Sequence, residues 1–330
     1  MTMHAEQAGG GSGLAEEVIA PDEQAVTAKF IAFLKAATEK RYPTGTRRRF
    51  NQGRATACVD AEFTVLDGLD AGHRVGLFAE PRTYRATVRF ANAQSESDRE
   101  ADVRGMSVKV TGVEGANLTP GATTQDFILN SHPIMMVPGT REFLELLEAN
   151  ESGGFRRIAY FLTHLGATRI ATAARSNPTC HLDIPYWSTT PYLFGPKRAV
   201  KYIVNPTSNK RSPMPPSRTD TYLLDAMRAR LGDGDAVFDF MVQFQTDSTR
   251  MPIEDASVEW KRQDSPYVPL ARIRIPRQSV DDPARIAACE QTAFNPWHCL
   301  AEHRPLGNMN RARRAIYAAM AAFRAETVTT

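Results

Sequence analysis

The 330-residue chain is poor in cysteine. Its four residues, Cys58, Cys180, Cys289 and Cys299, are scattered, with no CxxC pair and no HExxH helix to join. A structural zinc site or a disulfide framework is therefore not expected; the four read as reduced, mostly buried thiols in a cytoplasmic protein. Long apolar runs are also missing. No stretch approaches the roughly 18 residues that a membrane-spanning helix needs. The start, MTMHAEQAGGGSGLAEE, lacks the basic-then-apolar order of a signal peptide and reads as a flexible tail over residues 1–22. Net charge is only +3, too little to argue for nucleic acid as a partner. The basic runs KRYPTGTRRR and NRARR are local and read as solvated faces. No internal repeat or linker divides the rest, so residues 23–330 are expected to form a single domain.

Hydrophobic content of 42% and charged content of 23% suit a chain that buries a real core. After the tail, DEQAVTAKFIAFLKAATEKRY repeats Val26, Phe30, Ile31 and Leu34 at helical spacing. Four short runs rich in β-branched and aromatic residues come after it: TACVDAEFTVLD, TYRATVRFAN, VRGMSVKVTGV and TQDFILNSH. No helix-length segment separates them, which argues for antiparallel pairing. Helical patterns TREFLELLEAN and GFRRIAYFLTHLGATRIATAARS come next, then the irregular NPTCHLDIPYWSTTPYLFGPK. Strand AVKYIVNP, helix TDTYLLDAMRARLG, strands AVFDFMVQFQT and LARIRIPR, and helix DPARIAACEQTAF lead to the C-terminal region. The expected class is α+β, an antiparallel β-barrel core with surrounding helices.

The last helix, NRARRAIYAAMAAFR from Asn310 to Arg324, carries the chemistry. With about 100° per residue and Arg313 at zero, Tyr317 falls near 40° and Arg324 near 20°. Met320, Ile316 and Phe323 fall near −20°, −60° and −80°. Two arginines and a tyrosine thus share the apolar sector, whereas Arg311 points away and Arg314 sits at its edge, as surface residues do. A guanidinium in an apolar sector must find anions or carbonyls. One reading pairs both arginines with Asp or Glu from neighbouring elements and makes Tyr317 a core tyrosine. Another makes Tyr317 a phenolate bound to a metal, with Arg313 lowering its pKa and Arg324 reaching a carboxylate on the ligand. Haem offers such a metal and such carboxylates, and tyrosine is one of its axial ligands.

These residues resemble the catalase superfamily, in particular its small catalase-related haem proteins. RRAIY is similar to the family's Arg-x-x-x-Tyr, which supplies the axial phenolate and its arginine. Arg324 stands at the spacing of a family arginine that meets a haem propionate. FNPWHCLAEHRPLGNM looks like the segment leading into the ligand helix. ATVRFANA with VRGMSVKV resembles paired barrel strands in which Arg89 matches a propionate-binding arginine. TTQDFILNSHPIMM resembles the strand that brings an Asn to the far side of the haem before an x-Pro step. The likeness runs over roughly residues 25 to 326. It implies haem b (iron protoporphyrin IX), Tyr317 as its metal ligand, and Arg49, Arg89, Arg313 and Arg324 around it, with Phe143 a candidate stacking aromatic.

The far side departs from the family pattern. The distal His lies three residues after a propionate arginine, here Arg49, and that position holds Gln52. A glutamine amide donates and accepts hydrogen bonds but does not titrate near neutral pH, so it cannot shuttle a proton as general base and acid. The Asn position falls on Ser131 by counting back from the x-Pro step, while Asn130 keeps the residue type. His132 beside them is a titratable group that could serve as acid/base, or a strand-end histidine in a turn. His298 and His303, before the ligand helix, read as structural or surface residues. MMVPGTREF and IPYWSTTPYLFG are candidate contributors to the pocket shape.

Together the resemblance and the altered far side imply a haem-dependent oxidoreductase with low catalase activity, using peroxide, a hydroperoxide or dioxygen on a small organic molecule. Two other readings stay open: a peroxide scavenger working through His132 or without a distal base, and a non-catalytic haem-binding protein. A small molecule is the expected partner; whether copies of the chain associate is undecided.

Overall fold

The computed structural model describes residues 13–326. Its centre is a closed sheet built from β1 (Ala55–Val65), β2 (Thr83–Asn92), β3 (Arg104–Thr111), β4 (Thr124–Asn130), β5 (Tyr186–Trp187), β7 (Ala199–Pro206), β8 (Ala236–Phe244) and β9 (Tyr267–Ile275). The order is β5-β4-β3-β2-β1-β9-β8-β7, and β5 also pairs with β7, which closes eight antiparallel strands into a barrel. A two-residue strand, β6 (Tyr192–Leu193), adds to β7. Closure removes sheet edges, and eight strands leave an interior that side chains can fill. Aromatic rings do so here: Phe63, Phe127, Tyr202 and Phe240 meet with centroids 4.6–5.9 Å apart and are fully or almost fully buried. Any ligand site must therefore lie outside the barrel.

The strand register sets that outer face. Cys58, Arg89, Ser107 and Ile128 are successive partners across β1, β2, β3 and β4, so they form one row pointing away from the interior. Their neighbours Val59, Val88, Phe90, Met106, Val108, Phe127 and Leu129 point inward and belong to the barrel core.

Seven α-helices surround the barrel among the described residues: α1 (Glu23–Arg41), α2 (Thr140–Ser152), α3 (Gly154–Thr163), α4 (Leu165–Ala174), α5 (Tyr222–Asp233), α6 (Pro283–Gln291) and α7 (Asn308–Ala325). Of the expected apolar stripe of α1, Val26, Phe30 and Leu34 are buried and Ile31 is partly buried. Phe30 and Leu34 pack with Leu144 and Leu147 of α2 and with Ala312, Ile316, Met320 and Phe323 of α7. Burial of each large side chain here contributes roughly 1.5–3 kcal/mol. This layer holds α7 opposite the Arg89 row.

The structure differs from the sequence expectations in four places. The helical stretch 154–176 breaks at His164, whose φ of −115° and ψ of 61° leave helical space, to give α3 and α4. β5 and β6 lie inside the segment read as irregular; two-residue strands are too short to show alternation. The thiols are not all reduced: Cys58 and Cys289 form a disulfide between β1 and α6, 231 positions apart in sequence. Cys180 and Cys299 remain free and buried. Spacing could not reveal this pair, because the barrel alone brings the two together. The disulfide also removes the ground for expecting a reducing compartment. Finally, the part of the 1–22 tail that is described, residues 13–22, is tied down. Glu17 accepts the backbone N–H of Gly307 and pairs with Arg304 and Arg311. Residues 1–12 lie outside the described residues. No described helix is long and apolar enough to cross a membrane.

Candidate active site

A cavity of about 910 Å³ lies between the Arg89 row and the α1–α2–α7 layer. It is lined by nine of the ten residues expected at the site. Tyr317, Arg313 and Arg324 come from α7, and Arg49 and Gln52 from the segment before β1. Arg89 comes from β2, Asn130 and His132 from the end of β4 and beyond, and Phe143 from α2. Ser131 is the exception. Its hydroxyl accepts the backbone N–H of Arg104, and its own N–H donates to Arg104 O, so it is spent on pairing and does not reach the cavity. Of the two candidates that the sequence left open for the Asn position, Asn130 lines the cavity.

On α7, Ile316, Met320 and Phe323 are buried while Tyr317 is half-buried. The Tyr317 hydroxyl has no hydrogen-bond partner among the described residues. Arg313, one turn earlier, donates to Thr190 Oγ1 at 3.2 Å and to Asn310 Oδ1 at 3.1 Å. Asn310 is fully buried and is itself fixed: its Nδ2 donates to Pro191 O at 2.8 Å, and its carbonyl accepts Trp297 Nε1 at 2.7 Å. Among the described residues neither Arg313 nor Arg324 forms an ion pair, so the reading that neighbouring carboxylates satisfy them fails. Arg311 is also not the surface residue its angle suggested. It bonds Glu17, Glu23 and Glu254 at 2.6–3.0 Å in a half-buried cluster. Arg314 is exposed, its guanidinium 4.9 Å from the Trp297 ring centre.

Three arginines converge at one end of the cavity around a single carboxylate. Glu290, at the end of α6, accepts from Arg89 Nη2 at 3.0 Å and from Ala55 N at 3.0 Å, and pairs with Arg49. Arg49 also donates to the carbonyls of Glu290 at 3.2 Å and Thr292 at 2.8 Å. Burial alone would raise the Glu290 pKa, but Arg89 and Arg49 outweigh it and hold the carboxyl below its ordinary value. Arg89 is pulled down to about 10 by burial and by Arg49, against Glu290, and its Nε is buried without a partner. Arg324 is likewise lowered to about 10 by burial and Arg49. It donates only to Met320 O of its own helix, at 3.2 Å. Three guanidiniums and one carboxylate leave an excess of positive charge that bound anions would neutralise. Sequence reasoning missed Glu290. Its signal was indirect: three inward arginines require a carboxylate from somewhere in the fold.

The opposite wall is built differently. Gln52 has φ +55°, the left-handed region that non-glycine residues seldom occupy. It is clamped there: its N–H donates to Ala93 O at 2.7 Å, and its carbonyl accepts Arg89 Nη2 at 2.8 Å. The side-chain amide lies over Gly105, where any side chain would collide with it, and Gly105 pairs with Asn130 in the sheet. Gln52 and Asn130 thus present two amides to the cavity side by side. His132 is half-buried, and burial lowers its pKa, with Glu259 opposing, so the ring is neutral at pH 7. Phe143 packs edge-on against Phe30, centroids 5.8 Å apart. His298 reaches the cavity rim with Nδ1 3.2 Å from Asp126, a carboxylate also paired with Lys109. His303 is wholly buried, accepts Leu77 N–H, and is pushed down to about 4 by burial, a structural histidine.

No family model matches the chain. A catalase-related peroxidase from Mycolicibacterium paratuberculosis is 30% identical over 188 residues, 52% of this chain and 58% of that protein. Among solved structures, a fungal catalase superimposes with a TM-score of 0.69 at 15% identity, covering 88% of this chain and 62% of the catalase. Catalase A from Saccharomyces cerevisiae gives 0.68 at 17%, with 88% and 63% covered. A bacterial catalase gives 0.67 at 14%, with 97% and 64% covered. The chain spans about three fifths of the length of these relatives.

Proposed function

We propose that this chain is a member of the catalase superfamily, a haem-dependent oxidoreductase that is poor at dismuting hydrogen peroxide. Its substrate would be a small organic molecule or hydroperoxide. The observation that carries this is the presence, on one cavity, of a Tyr317 hydroxyl free among the described residues together with Arg49 and Arg89, which share Glu290, and Arg324, which has no carboxylate partner there. The donor set fits haem b. Tyr317 would hold the metal as a phenolate, with Arg313, fixed by Thr190 and Asn310, as the guanidinium one helical turn before it. Arg49, Arg89 and Arg324, with the unpartnered Arg89 Nε among them, would take the two propionates. Two propionates and Glu290 together balance three guanidiniums.

When bound, haem would supply redox chemistry tuned by its axial ligand and the pocket around it. The residues on the other wall decide what is oxidised. Gln52 and Asn130 hold a bound oxygen-containing group by amide hydrogen bonds without exchanging protons at neutral pH. That removes the general acid–base step on which rapid dismutation depends, worth about 10²–10⁴-fold. The relative's name, a catalase-related peroxidase, supports the oxidoreductase reading.

The test is an absorption spectrum of haem-reconstituted protein beside Tyr317→Phe. The expected outcome is a ferric phenolate spectrum in the parent and haem retention lowered by more than about tenfold in the variant. Unchanged haem content and spectrum in Tyr317→Phe would discard the assignment. A second reading, peroxide scavenging with His132 as base, draws on the neutral His132 ring at the cavity. It requires appreciable oxygen evolution from hydrogen peroxide by fully loaded protein.

A further inference from the structure

The helical hairpin α3–α4 carries an apolar face that nothing in the fold covers. Phe155, Ile158, Leu162 and Leu165 are 83%, 56%, 69% and 70% exposed. At about 100° per residue, Phe155, Leu162 and Ile158 fall within a sector about 60° wide on α3. The opposite side of the helix is already used: Tyr160 is buried with Val137 and Leu146, and Phe161 packs there too. The face is therefore not core left over by poor packing. It is a second apolar surface on a helix whose first is satisfied.

The charge pattern selects an occupant. Between Glu151 and Asp183 the sequence has arginines at 156, 157, 169 and 175 and no Asp or Glu. All four arginines are exposed, and none forms an ion pair among the described residues. Arg156 lies about 100° round α3 from Phe155 and Arg169 about 40° round α4 from Leu165, so these two border the apolar face, whereas Arg157 and Arg175 also line the cavity. An apolar stripe with arginines beside it and no acidic residue matches an anionic bilayer surface, where the side chains enter the headgroup boundary and the arginines meet lipid phosphates.

We propose that α3–α4 docks this protein on anionic membrane surfaces. The same two helices form part of the cavity wall: Arg157, Phe161, Thr168 and Arg175 line it from their inner side. Docking would bring that side of the cavity to the lipid phase, which suits apolar substrates that partition there. The proposal stands on the surface and needs nothing from the haem assignment.

The test is flotation of the full-length protein with vesicles of phosphatidylcholine alone or mixed with phosphatidylglycerol, at low and high salt. Expected is at least about tenfold more bound protein on the anionic vesicles at low salt, falling as salt rises. Phe155→Ser/Leu162→Ser should reduce binding by about tenfold, and Arg156→Glu/Arg169→Glu should abolish the preference for anionic lipid. Circular dichroism and unfolding midpoints check that each variant folds. The proposal is overturned by absence from anionic vesicles, by equal binding to neutral ones, or by Phe155→Ser/Leu162→Ser floating like the parent. It is also overturned if light scattering shows a dimer that this double variant returns to monomer, which would make the face a subunit contact.

Discussion

The two walls of the cavity are made by opposite means. The α7 wall is one regular helix, so Arg313, Tyr317 and Arg324 are placed by helical geometry and held by a packed apolar layer. The Gln52 wall is assembled from a left-handed residue, a strand end and a turn, each fixed by backbone hydrogen bonds to other segments. The first offers cations and a phenol, and the second offers amides and a neutral imidazole. The groups proposed to hold the cofactor thus lie on a wall that a periodic sequence can show. The groups proposed to set the reaction lie on a wall that only tertiary structure assembles.

The largest expected effect comes from changing the second wall toward titratable chemistry. Gln52→His puts a proton-transferring ring at the clamp. Histidine is among the residues that tolerate positive φ, so the backbone should accept it. Oxygen evolution from hydrogen peroxide should rise by about 10²-fold or more. An unchanged rate with full haem loading would mean that Gln52 is not what limits dismutation, and the contrast between the walls would lose its chemical meaning.

Next is the joint between the walls. The Cys58–Cys289 disulfide ties α6, and with it Glu290, to the row that carries Arg89. Cys58→Ser should cost about 3 kcal/mol of stability under oxidising conditions. The denaturation midpoint of the parent should fall to that of the variant when reductant is added. Equal midpoints without reductant would show that the bond contributes nothing.

The α7 wall can be weakened without touching its phenol. Arg324→Leu removes one of three guanidiniums and leaves Arg49 and Arg89 with Glu290. Haem retention should drop about tenfold, measured by titrating haem into the apoprotein, while the ferric phenolate spectrum of the loaded fraction stays as in the parent. If the spectrum changes instead, Arg324 acts on the phenolate and not on a propionate.

Legibility in the sequence divides along the same line. The barrel strands 83–92 and 199–206 and the helix 310–324 were readable because long elements with one buried face print their period. Arg313, Tyr317 and Arg324 were readable because polar groups in an apolar helical sector are anomalous, whereas Arg89 was readable only through the resemblance of its strand. Glu290 was not, since it sits at the end of a short helix with no pattern and acquires meaning only when β1 and β2 lie beside it. Arg311 misled, because helix angle says which way a side chain points and not whether an N-terminal segment will fold over it. The disulfide was hidden by the 231 positions between its halves. Ser131 and Asn130 were separable only by strand alternation at the last rung of β4, where a shift of one residue swaps the two faces.

The smallest effect concerns His132, and it decides between two uses of the Gln52 wall. Burial lowers its pKa below the ordinary value of about 6.5, so the ring is neutral at pH 7 and takes up a proton only on acidification. If it served as a base, turnover would fall as pH drops through that lowered pKa, and His132→Ala would remove the acidic limb along with most of the rate. With Gln52 and Asn130 as the working contacts, His132→Ala should change the rate of peroxide-dependent oxidation of a test substrate by less than about threefold. The shape of the pH profile below 6.5 should be unchanged. A loss of 10²-fold or more, the scale of a missing general base, would move the chemistry from the amides to His132.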